Sequence, residues 1–408
     1  MNKVLKCAEN FIISFNLLKK GEIALIKSKN EKAIEIKFKD SLLNVKIYYR
    51  HGEKIRALNL NSIAYLNDKI EIKVMPYRLE LIVNGKIKDE EWSFGEALYK
   101  ESDEIIGDVL VAEFTPEKIN LPSVIGTFKN AEGWRPEENV YVGDCMPYTY
   151  EDKYHVLYLK DRHNHRSKFG KGAHQWEHVS TSDFIKWDIH PMAVEITETF
   201  EGSVCTGSFI ASDEKKYLYY TIRMSDGSSA PIMRSFSFDG YHFEKDKDFK
   251  FYLSDKYTGE SARDPKVIKD NDGIYHMFVT STLISANKGA LVHLTSKDAE
   301  TWVEKEEPIY ISPNRDEPEC SDYFEYKGYY YLVFSLGGRG NYLYSKKPFS
   351  EWITPEDPYI PCKTVPKAAV FGGKIIFTGY NNLWNELYAG TMAFKIADAK
   401  EDGQLIFE

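Results

Sequence analysis

Cysteine is scarce in this chain of 408 residues, and the few that occur lie far apart without any C-x-x-C pair. That spacing excludes a zinc ribbon and a disulfide framework, and we predict neither a metal site nor a cofactor. The N-terminus lacks the pattern of a secretory signal, so we expect a reduced, cytoplasmic protein. The five cysteines are Cys7, Cys145, Cys205, Cys320 and Cys362.

Two further features are missing. No run of apolar residues approaches the 18 or so that span a bilayer, so we expect no membrane association. The formal net charge is -9, which argues against a protein that binds nucleic acid by releasing counterions from phosphates. We therefore expect the partner to be a small molecule or an oligosaccharide, and the sequence does not indicate an oligomeric state.

Aromatic residues, in contrast, are abundant: the chain has 28 Tyr and 23 Phe. Such residues favour strands. The first hundred residues carry a positive net charge and alternate apolar with polar residues, and Asn84-Gly85 is a strong hairpin signal. They predict a small β-sandwich over residues 1–105. A proline-interrupted transition over residues 106–135 follows.

Beyond residue 135 one pattern occurs five times: a turn followed by a strand rich in Tyr or β-branched residues. In several copies an Asp then precedes an aromatic residue by four positions, as in Asp183 and Trp187. This period suits a four-stranded blade, so residues 136–408 predict a five-bladed β-propeller and the whole chain an all-β protein. The strands begin around Tyr154, Tyr217, Tyr275, Tyr330 and Ile375.

Three acids stand ten or eleven residues before the strands of three copies: Asp144, Asp264 and Glu319. That position belongs to the innermost strand of a blade, beside the central channel. Three converging carboxylates suit catalysis or cation binding better than stability. A pair of carboxylates, one protonated and one ionised, is the usual equipment for hydrolysis of a glycosidic bond.

The segments that carry these acids resemble the motifs of glycoside hydrolase family 32, which contains invertases, levanases and inulinases. YVGDCMP, SARDPKV and EPECSD are similar to its W-M-N-D-P-N-G, R-D-P and E-C-x-D motifs, and GAHQWEHVSTSDF and CTGSF match two more. The resemblance implies a retaining hydrolase of fructofuranosides, fructans or sucrose. It implies that Asp144 is the nucleophile, Asp264 the transition-state stabiliser and Glu319 the general acid/base. The residues implied to bind substrate are Tyr141, Trp176, Thr206, Arg263 and Asp322.

The chain also differs from the family pattern. Gly143 and Leu159 replace an Asn and a Gln with which the family holds fructose, so the recognised sugar stays open. The cation-rich stretch Lys160–Gln175 could instead recognise a phosphorylated sugar. Three alternatives remain: glycosyl transfer by the same site, an inverting arabinan- or xylan-acting propeller enzyme, and a carbohydrate-binding protein without turnover.

Strand alternation gives two further expectations. Cys145 and Cys320, each next to an acid, should point away from the pocket and pack behind the inner strand. Trp176 is the one tryptophan that we expect as a platform for a sugar ring. We interpret His163, His165, His174 and His178 as surface or hydrogen-bonding residues.

Overall fold

The computed structural model describes residues 10–51, 54–75, 79–91, 96–102, 104–114, 126–127, 140–162, 174–198, 200–212, 214–224, 226–382 and 388–408. Within them the chain is almost entirely β-structure and forms two compact units. The described ranges contain no helix that is long and apolar enough to cross a membrane.

The first unit consists of two antiparallel sheets that enclose one hydrophobic core. Phe11 and Ile13 of one sheet and Ile34 and Ile36 of the other are all buried in it. The first sheet contains β1 (Phe11–Asn16), β6 (Lys69–Val74), β7 (Leu79–Val83), β8 (Lys86–Glu91) and β11 (Leu110–Glu113). The second contains β2 (Gly21–Ser28), β3 (Glu31–Lys39), β4 (Leu42–His51), β5 (Lys54–Ile63), β9 (Glu96–Ala97) and β10 (Glu104–Gly107), and a short 3-10 helix follows β9 at Leu98–Glu101.

The hairpin predicted at Asn84-Gly85 is confirmed. Val83 and Lys86 pair across the two-residue loop between β7 and β8. Asn84 and Gly85 have φ values of 50° and 79°, as a type I′ turn requires at both positions. We keep the division into a sandwich, a transition and a propeller as a proposal; the last strand that pairs within the sandwich ends at Glu113.

The second unit is the five-bladed propeller, in which each blade begins with its innermost strand. The strands of blades one and two are β13 (Val140–Tyr150), β14 (Lys153–Arg162), β15 (Trp176–Thr181), β16 (Lys186–Val194), β17 (Glu201–Ala211), β18 (Lys216–Met224), β19 (Ile232–Ser237) and β20 (Glu244–Phe251), and β12 (Gly126–Thr127) pairs with β16. Blade three has a 3-10 turn at Gly259–Ser261 and then β21 (Arg263–Lys269), β22 (Tyr275–Leu283), β23 (Lys288–Ser296), β24 (Val303–Glu304) and β25 (Tyr310–Ile311). Blades four and five contain β26 (Glu319–Tyr326), β27 (Tyr329–Leu336), β28 (Arg339–Ser345), β29 (Tyr359–Phe371), β30 (Lys374–Asn382), β31 (Gly390–Ala399) and β32 (Leu405–Phe407).

The repeated Asp closes the turn between the third and fourth strands of a blade. One carboxylate oxygen of Asp183 accepts the backbone N–H groups of Ile185 and Lys186, each at 2.8 Å. Asp239 and Asp298 make the same pair of bonds in the next two blades. The aromatic residue four positions after the Asp lies within one residue of the start of the fourth strand, and in blade one it is the fully buried Trp187. The repeat therefore has a local cause, a turn whose N–H groups need an acceptor.

Buried histidine pairs link the second and third strands of blades one and three. Nδ1 of His155 lies 2.9 Å from Nε2 of His178, and Nδ1 of His276 lies 2.9 Å from Nε2 of His293. In blade one His190 adds a third ring, with one nitrogen of each ring within 4.8 Å of the others. The Tyr148 hydroxyl also lies 2.9 Å from the His178 Nε2.

Burial lowers the pKa of these rings. The pKa of His155 falls to about 3, that of His190 to about 4 and that of His293 to about 3, in each case mainly because the charged form is desolvated. The rings are therefore neutral in the folded protein at neutral pH. The pair recurs in blade three, where Phe349 instead of a third histidine stacks on His276, which indicates a structural hydrogen bond in both blades.

We predict that the propeller loses stability in mild acid. A histidine in the unfolded chain takes up a proton near pH 6.5, whereas the buried ring of His190 does so only near pH 4. The free energy of unfolding is therefore highest above pH 6.5 and decreases as the pH drops toward 4. Each such histidine should lower the free energy of unfolding by about 1.4 kcal/mol per pH unit in this window. Denaturant unfolding at pH 7.5, 6.5, 5.5 and 4.5 measures it. A free energy of unfolding that stays constant from pH 6.5 to 4.5 would contradict the prediction.

Candidate active site

The three predicted acids lie at β-bulges of innermost strands. Pairing with the next strand is irregular between Val142 and Cys145 in β13, between Arg263 and Lys266 in β21, and between Glu319 and Asp322 in β26. Asp144 and Asp264 lie inside their bulges, and Glu319 is the last regular residue before the third one. A bulge interrupts the alternation of side chains, which lets a strand turn successive residues toward the channel.

Asp264 is the most firmly held of the acids. It is buried, and its backbone lies in the left-handed region with φ 58°. The Thr206 hydroxyl from blade two donates to one carboxylate oxygen at 2.6 Å, and the Cys320 N–H from blade four donates to the other at 3.0 Å. Groups from both neighbouring blades thus fix the orientation of this carboxylate and hold its negative charge in one place.

Cys320 lies among the carboxylates. Its sulfur is 3.6 Å from Oδ2 of Asp264, 4.0 Å from Oδ2 of Asp144 and 3.4 Å from the Thr206 hydroxyl oxygen. The expectation that Cys320 points away from the pocket was wrong, because the bulge after Glu319 and a left-handed φ of 52° break the alternation on which it was based. Cys145 does pack away, with its sulfur against the Gly143 and Gly379 carbonyls.

Glu319 differs from the two aspartates in its access to water. Its side chain is 26% exposed, whereas Asp144 and Asp264 are buried. Arg263 lies beside it, with Nη2 3.1 Å from one carboxylate oxygen of Glu319 and Nη1 2.6 Å from Glu317. Burial alone would lower the pKa of Arg263, but the charges of Asp264, Glu319 and Glu317 outweigh it and raise that pKa. The guanidinium is therefore a permanent positive charge at the edge of the acid cluster.

The model of the glycosyl hydrolases family 32 N-terminal domain matches residues 138–353, which hold all three acids and more than half of the chain. The chain belongs to glycosyl hydrolase family 32. The family resemblance drawn from the three acid motifs is thereby confirmed.

Relatives within family 32 are distant. A sucrose-6-phosphate hydrolase of Vibrio alginolyticus is 28% identical over 41% of this chain and 34% of its own length. A sucrose-6-phosphate hydrolase of Escherichia coli is 22% identical over 67% of this chain and 61% of its own length. This chain thus spans about one third to three fifths of the relatives that it matches.

Solved structures agree with the fold. Fructan 1-exohydrolase IIa from Cichorium intybus superposes with a TM-score of 0.56 at 16% identity, over 68% of this chain and 59% of that one. The family 32 β-fructofuranosidase of Bombyx mori gives a TM-score of 0.52 at 21% identity, over 67% of this chain and 65% of that one. At these identities the likeness shows the propeller fold.

The structure brings most of the residues predicted from the family 32 motifs into one region. Thr206 contacts Asp264, Arg263 contacts Glu319, and Tyr141 lies partly buried on β13 three residues before Asp144. The part of the cation-rich stretch from 163 to 173, with His163 and His165, lies outside the described residues. Lys160, at its start, is buried and lies 3.1 Å from Glu177.

Trp176 and Asp322 lie deeper than a sugar platform would. Trp176 is fully buried, and its indole N–H donates to the Cys205 carbonyl at 2.9 Å. Asp322 is also fully buried, accepting Nζ of Lys266 at 2.6 Å and the Ala368 N–H at 3.0 Å. Both side chains support the inner strands that carry the site.

Two side chains of blade five also contact the site and were not predicted from the sequence. They are Lys367 on β29 and Tyr388, which lies just before β31. Nζ of the buried Lys367 donates to the Gly207 carbonyl at 3.0 Å, and burial lowers the pKa of this lysine although the charge of Asp322 opposes the shift. The Tyr388 hydroxyl oxygen accepts the Asp144 N–H at 3.0 Å. No motif marks Tyr388, which lies 244 residues from Asp144; the unusual glycine before Asp144 was the available signal.

We predict that the Cys320 thiol is inert in the folded protein. Burial and the charges of Asp264 and Asp144 raise the pKa of Cys320, so its reactive thiolate is not populated at neutral pH. Iodoacetamide at pH 7.5 should modify Cys320 only after unfolding, as mass spectrometry of the peptides will show. Cys145, also buried with a raised pKa but behind the strand, is the matched control. Rapid labelling of native Cys320 alone would contradict the prediction and favour a thiol nucleophile.

Proposed function

We propose that the chain is a retaining glycoside hydrolase that cleaves a fructofuranoside by means of Asp144, Asp264 and Glu319. The observation that carries the proposal is that Asp144 and Asp264 both contact the sulfur atom of Cys320, and that Glu319 is the residue before Cys320 in β26. Membership in family 32 and relatives named sucrose-6-phosphate hydrolase support it.

Exposure and hydrogen bonding suggest how the roles divide. A general acid/base must exchange protons with water between steps, and Glu319 is the acid with access to solvent. A nucleophile must be held in place, and the Asp144 N–H is anchored to Tyr388. Asp264, fixed by Thr206 and Cys320, supplies a charge that does not move during the reaction.

The reaction then follows in two displacements. A carboxylate oxygen of Asp144 attacks the anomeric carbon while Glu319 gives its proton to the departing glycosidic oxygen, and the bond between that oxygen and the carbon breaks. Glu319, now ionised, takes a proton from water as the water oxygen attacks the same carbon and the ester bond to Asp144 breaks. Asp264 stabilises the positive charge that develops on the sugar in both transition states.

The substrate that we propose is a short fructofuranoside such as sucrose or its 6-phosphate. Gly143 and the buried Leu159 leave fewer polar side chains to hold a sugar than the family motifs would. Lys160 is paired with Glu177, but the cationic residues that follow it in the sequence, Arg162, Arg166, Lys168 and Lys171, would suit a phosphate group. We further propose a cytoplasmic location, since the cysteines among the described residues form no disulfide.

Replacement of the two reacting acids tests the mechanism. Asp144→Asn and Glu319→Gln should each lower kcat by about 10³-fold or more, because each removes a group that acts in the transition state. Glu325→Gln, an exposed acid on the same strand as Glu319, is the control and should keep full activity. Circular dichroism and melting temperature check folding. Full activity in either acid variant would refute the assignment.

A substrate panel tests specificity. We expect release of fructose from sucrose, sucrose 6-phosphate, inulin or levan, read by chromatography, with glucose 6-phosphate as the second product of sucrose 6-phosphate. We expect no release of arabinose from arabino-oligosaccharides. NMR of the first-formed anomer should show retention. Release of arabinose alone, inversion, or sugar binding by calorimetry without cleavage would each overturn the proposal. Transfer of the sugar to a second sugar at high substrate would show a transferase at the same site.

A further inference from the structure

The backbone of Asp144 has an unusual partner. The bulge at Gly143 and Asp144 takes this residue out of the regular pairing between β13 and β14, so its buried N–H needs an acceptor elsewhere. That acceptor is the phenol oxygen of Tyr388 at 3.0 Å. Tyr388 lies two residues before Gly390, which pairs with Val142 and so joins the last blade to the first.

Gly143 and Tyr388 are complementary in shape. A Cβ atom placed on Gly143 would overlap with the Tyr388 hydroxyl and would lie 2.8 Å from both Cε1 and Cζ of the ring. Gly143 is absent from the residues with positive φ, so the backbone conformation does not demand glycine. Glycine is required at position 143 because the Tyr388 ring occupies the space that a Cβ atom would need.

The ring itself is held on two sides. His174 stacks on it with centroids 4.8 Å apart, and Tyr380 meets it edge-on at 5.5 Å. Tyr388 is only 5% exposed. A buried ring between two others has little freedom to move, so it can fix the position of a backbone group that it contacts.

We propose that Tyr388 is a positioning residue for the nucleophile: by accepting the Asp144 N–H and filling the space over Gly143, it holds the bulge that aims the Asp144 carboxylate. This inference rests on the proposed function, because it takes Asp144 as the nucleophile. It also explains the Gly143 departure from the family motif, since a longer side chain at 143 and the Tyr388 ring cannot share one space.

Removal of one oxygen atom tests the hydrogen bond. Tyr388→Phe should lower kcat by about 10-fold or more with little change in KM, because the ring stays and only the anchor of Asp144 is lost. Tyr331→Phe is the matched control: that buried tyrosine also bonds backbone, the Gly403 carbonyl at 2.8 Å, but lies in blade four on β27. It should change kcat less than twofold. Equal effects of the two variants on kcat would overturn the inference.

A double-mutant cycle tests the shared space. Gly143→Ala should lower kcat by about 100-fold in the wild-type background, because the new methyl group pushes the ring and the bulge apart. In a Tyr388→Ala background the same substitution should cost less than threefold, since the obstacle is gone. Additive effects of the two substitutions would show that the side chains do not compete for one space.

Amide exchange gives a readout that needs no turnover. The Asp144 N–H should exchange at least 10-fold faster in Tyr388→Phe than in wild type, while Tyr331→Phe leaves it unchanged, as residue-resolved hydrogen–deuterium exchange will show. Unchanged exchange refutes the positioning role even if no substrate is cleaved. If Asp144→Asn keeps full activity, the proposed function fails; if it loses activity and Tyr388→Phe does not, only the present inference fails.

Discussion

The site depends on the bulges in the innermost strands of the propeller. Regular alternation would send adjacent residues to opposite sides of each strand, so that Cys320, next to Glu319, would point away from the acids. The bulges at 143–144, 264–265 and 320–321 interrupt that rule, and the Cys320 sulfur contacts both Asp144 and Asp264. Asp264 and Cys320 take left-handed backbone conformations there, each at a cost of about 1–3 kcal/mol that the surrounding blades must offset.

Groups from other blades stabilise these conformations. Blade two supplies the Thr206 hydroxyl, blade four the Cys320 N–H, and the end of the chain the Tyr388 hydroxyl. Three cations lie close to the acids and their neighbours: Arg263 beside Glu319, Lys266 at Asp322 and the buried Lys367 at the Gly207 carbonyl. The acidic cluster is thus held by specific partners, and the fold can tolerate its mutual repulsion.

The sequence alone was sufficient for the architecture. The blades repeat a strand that follows a tight turn, and three of them repeat an Asp that accepts two backbone N–H groups. These features depend on neighbouring residues, so they recur in the sequence at a regular spacing. The Asn84-Gly85 turn was visible for the same reason. The acids were found because they recur at one distance from those strands.

Other features could not be found in this way. The orientation of Cys320 follows from a bulge, which adds one residue to a strand without changing its composition. Trp176 is buried, and its indole N–H donates to the Cys205 carbonyl of another blade, a contact between segments that lie apart in the sequence. The contact between Tyr388 and Asp144 joins the two ends of the propeller, and no spacing in the sequence encodes it.

The most direct test of the account is the identity of the residue that becomes bonded to the sugar. Glu319→Gln can be incubated with an aryl fructofuranoside, whose phenolate leaves without protonation, and the protein then digested for mass spectrometry. Loss of the general base should slow release of the sugar, so we predict a fructosyl group on the peptide that contains Asp144. Release of the phenol with no adduct, or an adduct on any other residue, would contradict the central claim.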